Sequence, residues 1–167
     1  IFANSDIDAI FCARGGYGAN RVLPLLDYNL IKENPKIFIG YSDITAMLTS
    51  ITQKTSLITF HGPMLTSYKD SWVEYNYSLM QRVLSGEKFI KIYSPDGLET
   101  KILKHGIAHG PLWGGNMCLL INRLGTNESL NTDGVILFLE DIDEYLYSFE
   151  RMLVHISAPQ RTMGNTM

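Results

Sequence analysis

One pattern recurs three times near the start of this chain: a short, uniformly apolar run stops at glycine and gives way to a new element. Residues 8–14 (DAIFCAR) run into Gly15-Gly16-Tyr17-Gly18, residues 36–40 (KIFIG) close on Gly40, and residues 56–60 (SLITF) end at His61-Gly62-Pro63. After the first run, Val22, Leu25 and Leu26 give residues 19–28 a helix-like spacing despite Pro24. After the second, Ile44, Met47, Leu48 and Ile51 fall at i, i+3, i+4 and i+7, which predicts an amphipathic helix over 43–52. Strands that are apolar throughout, rather than alternating, suit a parallel sheet covered on both faces. The expected fold class is therefore α/β. Ligands of such sheets sit beyond the carboxyl ends of the strands. That places the turns at Gly15, Gly40 and Gly62 along one functional edge.

The rest of the chain is organised differently. Residues 75–84 have helical spacing, whereas residues 88–104 are short of apolar pattern and broken by Pro95-Asp96-Gly97, which reads as a linker or hairpin. Gly110, Gly114 and Gly115 stand ahead of a second predicted helix, 116–124. An apolar strand, 134–139 (GVILFL), then ends at Glu140-Asp141, and Leu146, Phe149, Met152, Leu153 and Ile156 mark a last helix. Residues 158–167 are polar and carry no core signal. The expected organisation is an N-terminal domain over 1–85, a linker over 86–109 and part of a C-terminal domain over 110–167. Because the chain opens at Ile1 and runs at once into a strand, a first strand and helix are expected to lie outside it, as for an internal fragment.

Composition removes several function classes. Apolar residues make up 46% and charged residues 19% of the 167, enough apolar surface to offset the entropy of ordering a chain. The net charge of −3 argues against a nucleic-acid partner, whose phosphates need a basic surface. No apolar run nears the roughly 18 residues of a membrane span, and no secretory signal opens the sequence. Cys12 and Cys118 lie in apolar contexts without metal-ligand spacing, so no metal is expected. Read as free thiols, they fit a reducing, cytoplasmic compartment.

Three stretches can carry chemistry. Gly40-Tyr41-Ser42-Asp43 follows a strand and precedes a helix. A serine on such a turn projects its hydroxyl, and the helix N-terminus beside it offers unpaired N–H groups that stabilise an oxyanion. The Asp43 N–H is a natural donor. The usual elbow has a small residue two places after the serine, where this chain has Ile44, and Ser42 or Asp43 could instead simply cap the helix. The Gly15-Gly16 turn lets backbone approach a ligand, or is a plain tight turn. Glu140, followed by Asp141, Asp143 and Glu144, could orient a histidine or belong to a solvated acidic loop. His61 stands at a strand end near this edge. His105, His109 and His155 carry no such placement, and none of the four stands out as a base.

Taken together, five stretches resemble the LD-carboxypeptidase family of serine peptidases, which includes the microcin-immunity peptidases. They are Ala13-Arg14-Gly15-Gly16-Tyr17-Gly18; Gly40-Tyr41-Ser42-Asp43-Ile44-Thr45; His61-Gly62-Pro63-Met64; Gly110-Pro111-Leu112-Trp113-Gly114-Gly115-Asn116; and Leu137-Phe138-Leu139-Glu140-Asp141. The resemblance implies a flavodoxin-like parallel sheet with helices on both faces, followed by part of a smaller α+β domain. It implies cleavage of an amide between an L- and a D-centre, typically releasing terminal D-alanine from a murein tetrapeptide in cell-wall recycling, without metal or cofactor. Ser42 would be the nucleophile and Glu140 the acid that orients the base. The backbone of Asp43, Gly15 and Gly16 would form the oxyanion hole, and the 110–116 loop, with Trp113, Gly114 and Asn116, would face the substrate. The partner would be a muropeptide or other L,D-peptide, and exposed sheet would favour a homodimer. The family's catalytic histidine lies in a C-terminal segment that this sequence does not match, so the triad is expected to be incomplete here. Two alternatives accompany this reading: an immunity peptidase acting on a peptide–nucleotide conjugate, and a non-catalytic module binding a small ligand.

Overall fold

A computed structural model describes residues 1–67, 74–94 and 97–158. Pro95 and Asp96 of the expected linker, and the polar tail after Ala158, lie outside the described residues. Three parallel strands, β1 (Ala9–Phe11), β2 (Ile37–Gly40) and β3 (Phe60–His61), pair in the order β1-β2-β3. Phe38 and Ile39 of the middle strand are 4% and 1% exposed. Neighbouring residues of a strand point to opposite faces, so both faces of β2 are covered. Ile31, Phe38, Leu48 and Ile51 form the main core cluster on one side, and Ala19, Leu23 and Ala46 form a second.

Three departures from the sequence reading have physical causes. The helix expected over 19–28 is instead α1 (Ala19–Val22), a 3-10 turn at Leu23–Leu25, and α2 (Tyr28–Glu33). Pro24 has no N–H to continue the ladder. Asp27 restarts it by accepting the Leu30 N–H on its side chain at 2.9 Å. The strand expected over 56–60 shrinks to β3, because Ser56 takes a left-handed conformation (φ 62°) to end the preceding helix. Residues 57–59 are then held by side chains, with Thr59 Oγ1 bonded to Thr52 Oγ1 and to the Leu48 carbonyl. The third departure is at the glycines before the second helix. They form a strand, β4 (Leu112–Asn116), not a loop. Gly114 and Gly115 sit at φ 141° and 134°, which only glycine adopts freely, and a Cβ on Gly114 would lie 1.8 Å from the Phe138 carbonyl oxygen. Glycine signals a turn by composition, but here it lets two strands come together.

Helix α3 (Thr45–Thr55) follows β2 through a 3-10 turn at Ser42–Ile44, and α4 (Glu74–Leu84) follows β3. No helix or strand occurs among the described residues between α4 and β4. β4, α5 (Met117–Ile121) and β5 (Ile136–Glu140) form a parallel pair with a helical crossover, in register Asn116↔Glu140. α6 (Leu146–Ser157) packs on α5. The architecture is thus α/β, with parallel sheets flanked by helices. Among the described residues, no helix is long and apolar enough to cross a membrane.

α3 joins the two sheets. Arg123, 3% exposed, donates to the Ala46 carbonyl at 3.0 Å, to Ser50 Oγ at 2.8 Å and to Thr49 Oγ1. One turn on, Glu128 accepts from Ser50 Oγ and pairs with Lys54, while Gln53 bonds the backbone of Ser129 and Asn131. The helix that begins at the Ser42 turn is therefore clamped along its length to the segment that joins β4 to β5.

Candidate active site

Ser42 occupies the left-handed region at φ 60°, between the extended Tyr41 and the start of α3. A non-glycine residue held there stores about 1–3 kcal/mol of strain, which folded proteins retain chiefly where the geometry is used. The glycine two places earlier is required by packing. A Cβ on Gly40 would come within 2.7 Å of Ile44 Cγ2 and 3.3 Å of Cys12 Cβ. Ile44 thus closes over Gly40 to form the tight turn, which explains why a large residue is tolerated two places after the serine. Neither the 3-10 turn nor α3 has a side-chain cap, so no capping bond occupies Ser42. Asp43, 8% exposed, accepts the Ala19 N–H at 3.0 Å and so secures the far end of the glycine turn to the elbow.

The backbone of that turn lies directly against the serine. A methyl on Gly15 would stand 3.1 Å from Ser42 Cβ and 3.2 Å from Oγ. Among the described residues the N–H groups of Gly15 and Gly16 make no hydrogen bond, which leaves them free to serve a ligand. Of the sequence-predicted residues, Ser42, Asp43, Gly15 and Gly16 are therefore brought together.

Glu140 ends β5 opposite Asn116. Its Oε1 is buried without a hydrogen-bond partner among the described residues, and His61 Nε2 faces it at 4.0 Å. Burial pushes the Glu140 carboxyl above the ordinary carboxylate range; the Asp141 charge adds to this, and the Asn116 amide partly offsets it. Burial pushes the His61 imidazole down, toward the neutral form. Its ring meets Phe138 edge-on at 5.0 Å and Tyr41 at 6.2 Å. Proximity of His61 to Glu140 has no sequence signal, since the two are far apart along the chain.

Asp141, beside it, is structural. It accepts from Asn116 Nδ2 at 3.0 Å and from the N–H groups of Cys118 (2.9 Å) and Ile142 (3.0 Å). Asn116 is 5% exposed, and its Oδ1 accepts the Leu119 N–H at the start of α5. Its side chain is thus engaged at both ends in framework bonds. Trp113 and Gly114 line a mainly apolar cavity of about 910 Å³ that also touches Tyr41, His61 and Phe138. Ser42 and Glu140 lie outside its lining. His155 is exposed on α6. Among the described residues, no three His, Cys, Asp or Glu side chains are placed to hold a metal ion.

Family models of the LD-carboxypeptidase N-terminal and C-terminal domains match residues 1–62 and 109–161 respectively. A probable murein peptide carboxypeptidase of Bacillus subtilis is 40% identical over 155 residues, 92% of this chain and 48% of that protein. The microcin C7 self-immunity protein MccF of Escherichia coli is 34% identical over 178 residues, 89% of this chain and 51% of that protein. The crystal structure of an MccF-like protein from Bacillus anthracis superposes with a TM-score of 0.85 at 34% identity, covering 97% of this chain and 56% of that one. The chain spans about half the length of the curated relatives it matches. The chain belongs to the LD-carboxypeptidase family.

Proposed function

We propose that this chain carries the nucleophile, the oxyanion hole and the orienting acid of a serine LD-carboxypeptidase that hydrolyses an L,D-amide, with terminal D-alanine of a murein tetrapeptide as the typical leaving group. The observation that carries this reading is Ser42 at φ 60°, with the Gly15 backbone packed against its hydroxyl. Ser42 Oγ attacks the scissile carbonyl and gives its proton to an imidazole that Glu140 orients. The tetrahedral oxyanion is held by the N–H groups of Asp43 and of the Gly15-Gly16 turn. Collapse breaks the C–N bond, and the amine of the D-residue leaves with the imidazolium proton. Water then attacks the Ser42 ester and releases the L-centred acid. The family resemblance puts that imidazole in a C-terminal stretch beyond β5. Trp113 and Gly114, on the cavity wall, would contact the substrate.

In this proposal residues 1–85 form the N-terminal domain and 110–167 part of the C-terminal one, joined by 86–109. The two free cysteines fit a cytoplasmic setting.

The similarity to MccF favours a second reading, an immunity peptidase acting on a peptide–nucleotide conjugate. One assay separates them: the native protein is given a murein tetrapeptide and, in parallel, an aminoacyl sulfamoyl adenosine. The first reading predicts D-alanine release that Ser42→Ala abolishes. Cleavage of the nucleotide conjugate alone supports the second. Turnover that survives Ser42→Ala sinks both, and calorimetric binding without turnover of either supports a non-catalytic ligand-binding module.

A further inference from the structure

Thr45, the first residue of α3, is fully buried (0% exposed) and turns its hydroxyl away from its own helix. Buried threonines further along α3 return theirs to the backbone one turn back, Thr49 to the Thr45 carbonyl and Thr55 to the Ile51 carbonyl. Thr45 Oγ1 instead accepts the N–H of Asn116, 71 residues later, at 3.0 Å. The same Thr45 donates its own N–H to the carbonyls of Asp43 and Ser42 in the serine turn. The neighbouring contact is equally close: a Cβ on Gly115 would lie 2.7 Å from both Thr45 Cγ2 and Oγ1, so the end of β4 rests on this one side chain. Asn116 is the register partner of Glu140, and its amide holds Asp141. Hydrogen bonds through one residue therefore connect the serine turn to the strand pair that carries the acid.

We infer that Thr45 is a positioning residue, which sets the placement of the Ser42 turn relative to Glu140 by bonding to both sides of the site at once. The inference rests on the reading of Ser42 and Glu140 as nucleophile and acid. Valine keeps the shape of threonine but cannot accept the Asn116 N–H, and serine keeps the acceptor.

The test compares Thr45→Val, Thr45→Ser and, as a control in the same interface, Thr49→Val in the native protein. Thr49→Val removes an acceptor of Arg123 and a second bond to the Thr45 carbonyl, and leaves the Thr45 hydroxyl and its bond to Asn116 in place. Three readouts are taken: thermal midpoint, the Glu140 titration by carbon-13 NMR, and kcat and KM for D-alanine release. Thr45→Val is expected to raise the Glu140 midpoint as the Asn116 amide loosens. It is also expected to lower kcat about tenfold with KM changed less than about twofold. Thr45→Ser restores both, and Thr49→Val lowers only the thermal midpoint. If Thr45→Val behaves like Thr49→Val, Thr45 merely packs and the inference is overturned. If the wild type turns over no substrate, the carboxypeptidase reading fails, while the Glu140 midpoint still decides the role of Thr45. Should the valine variant be too unstable to titrate, Thr45→Cys, a poor acceptor of similar size, is judged by the same criterion.

Discussion

Adding one methyl group to Gly15 should slow the serine while leaving the fold standing. Gly15 is not in the left-handed region, so alanine meets no backbone strain there. Its Cβ would sit 3.1 Å from Ser42 Cβ, 3.2 Å from Ser42 Oγ and 3.4 Å from Met64 Cε. Comfortable carbon contacts begin near about 3.5 Å, so something must give by a few tenths of an ångström. Met64 can rotate. Ser42 is less free, because its carbonyl, its left-handed φ and the Ile44 contact with Gly40 fix the turn. A displacement of about 1 Å can cost about 100-fold in rate, so a third to a half of that predicts a loss of about 5- to 10-fold in kcat. Stability should change by less than about 1 kcal/mol, since the smaller entropy of the unfolded alanine chain offsets the tight contact. The assay pairs the rate of fluorophosphonate labelling with urea unfolding. Labelling at the wild-type rate in a folded Gly15→Ala protein would refute the claim that this backbone faces the reactive hydroxyl.

Further outcomes follow from the same geometry. Ser42→Gly relieves the strain at φ 60° and should raise stability by about 1 kcal/mol while abolishing labelling, as read by urea midpoint and mass. Arg123→Ala leaves three α3 acceptors without their buried donor and should destabilise by about 1–3 kcal/mol, seen as a lower urea midpoint. The two shifted groups of the site act on opposite sides of the pH scale. His61, held below its ordinary 6.5, stabilises the fold above that value, and this stability is lost as pH falls through its folded pKa; His61→Gln should flatten that acid limb. Glu140, held above its ordinary 4.5, supports the fold most below that value, and the support is lost as pH rises through its folded pKa; Glu140→Gln should remove that decline in urea midpoints above pH 4.5. Light scattering on the purified protein should give a dimer, since Phe89, Leu103 and Ile107 are 95%, 87% and 93% exposed, and a clean monomer would count against it.

The serine turn was legible because all its determinants are local. A buried strand, a glycine, a serine and an i, i+3, i+4, i+7 helix follow one another within residues 36–52, and each element forms where its pattern puts it. Strand β4 was illegible for the opposite reason. Its Gly114 and Gly115 have no intrinsic strand preference, and what selects them is the nearness of Phe138 and Thr45, which a sequence does not show. The same holds for Asn116. The sequence gives no sign of its bonds to Thr45, Leu119 and Asp141, which depend on segments far apart along the chain as well as near it. The break at Pro24 and the Asp27 cap that restarts the helix were not read from the sequence, because the pattern of apolar residues runs through both pieces.

The most direct measurement is the site of covalent modification. The native protein is treated with a fluorophosphonate, digested, and its peptides are mapped by mass spectrometry. A single adduct on Ser42, absent from the Ser42→Ala protein together with D-alanine release, is the predicted result. An adduct on another serine, or release of D-alanine that persists in Ser42→Ala, contradicts the assignment of Ser42 as the nucleophile.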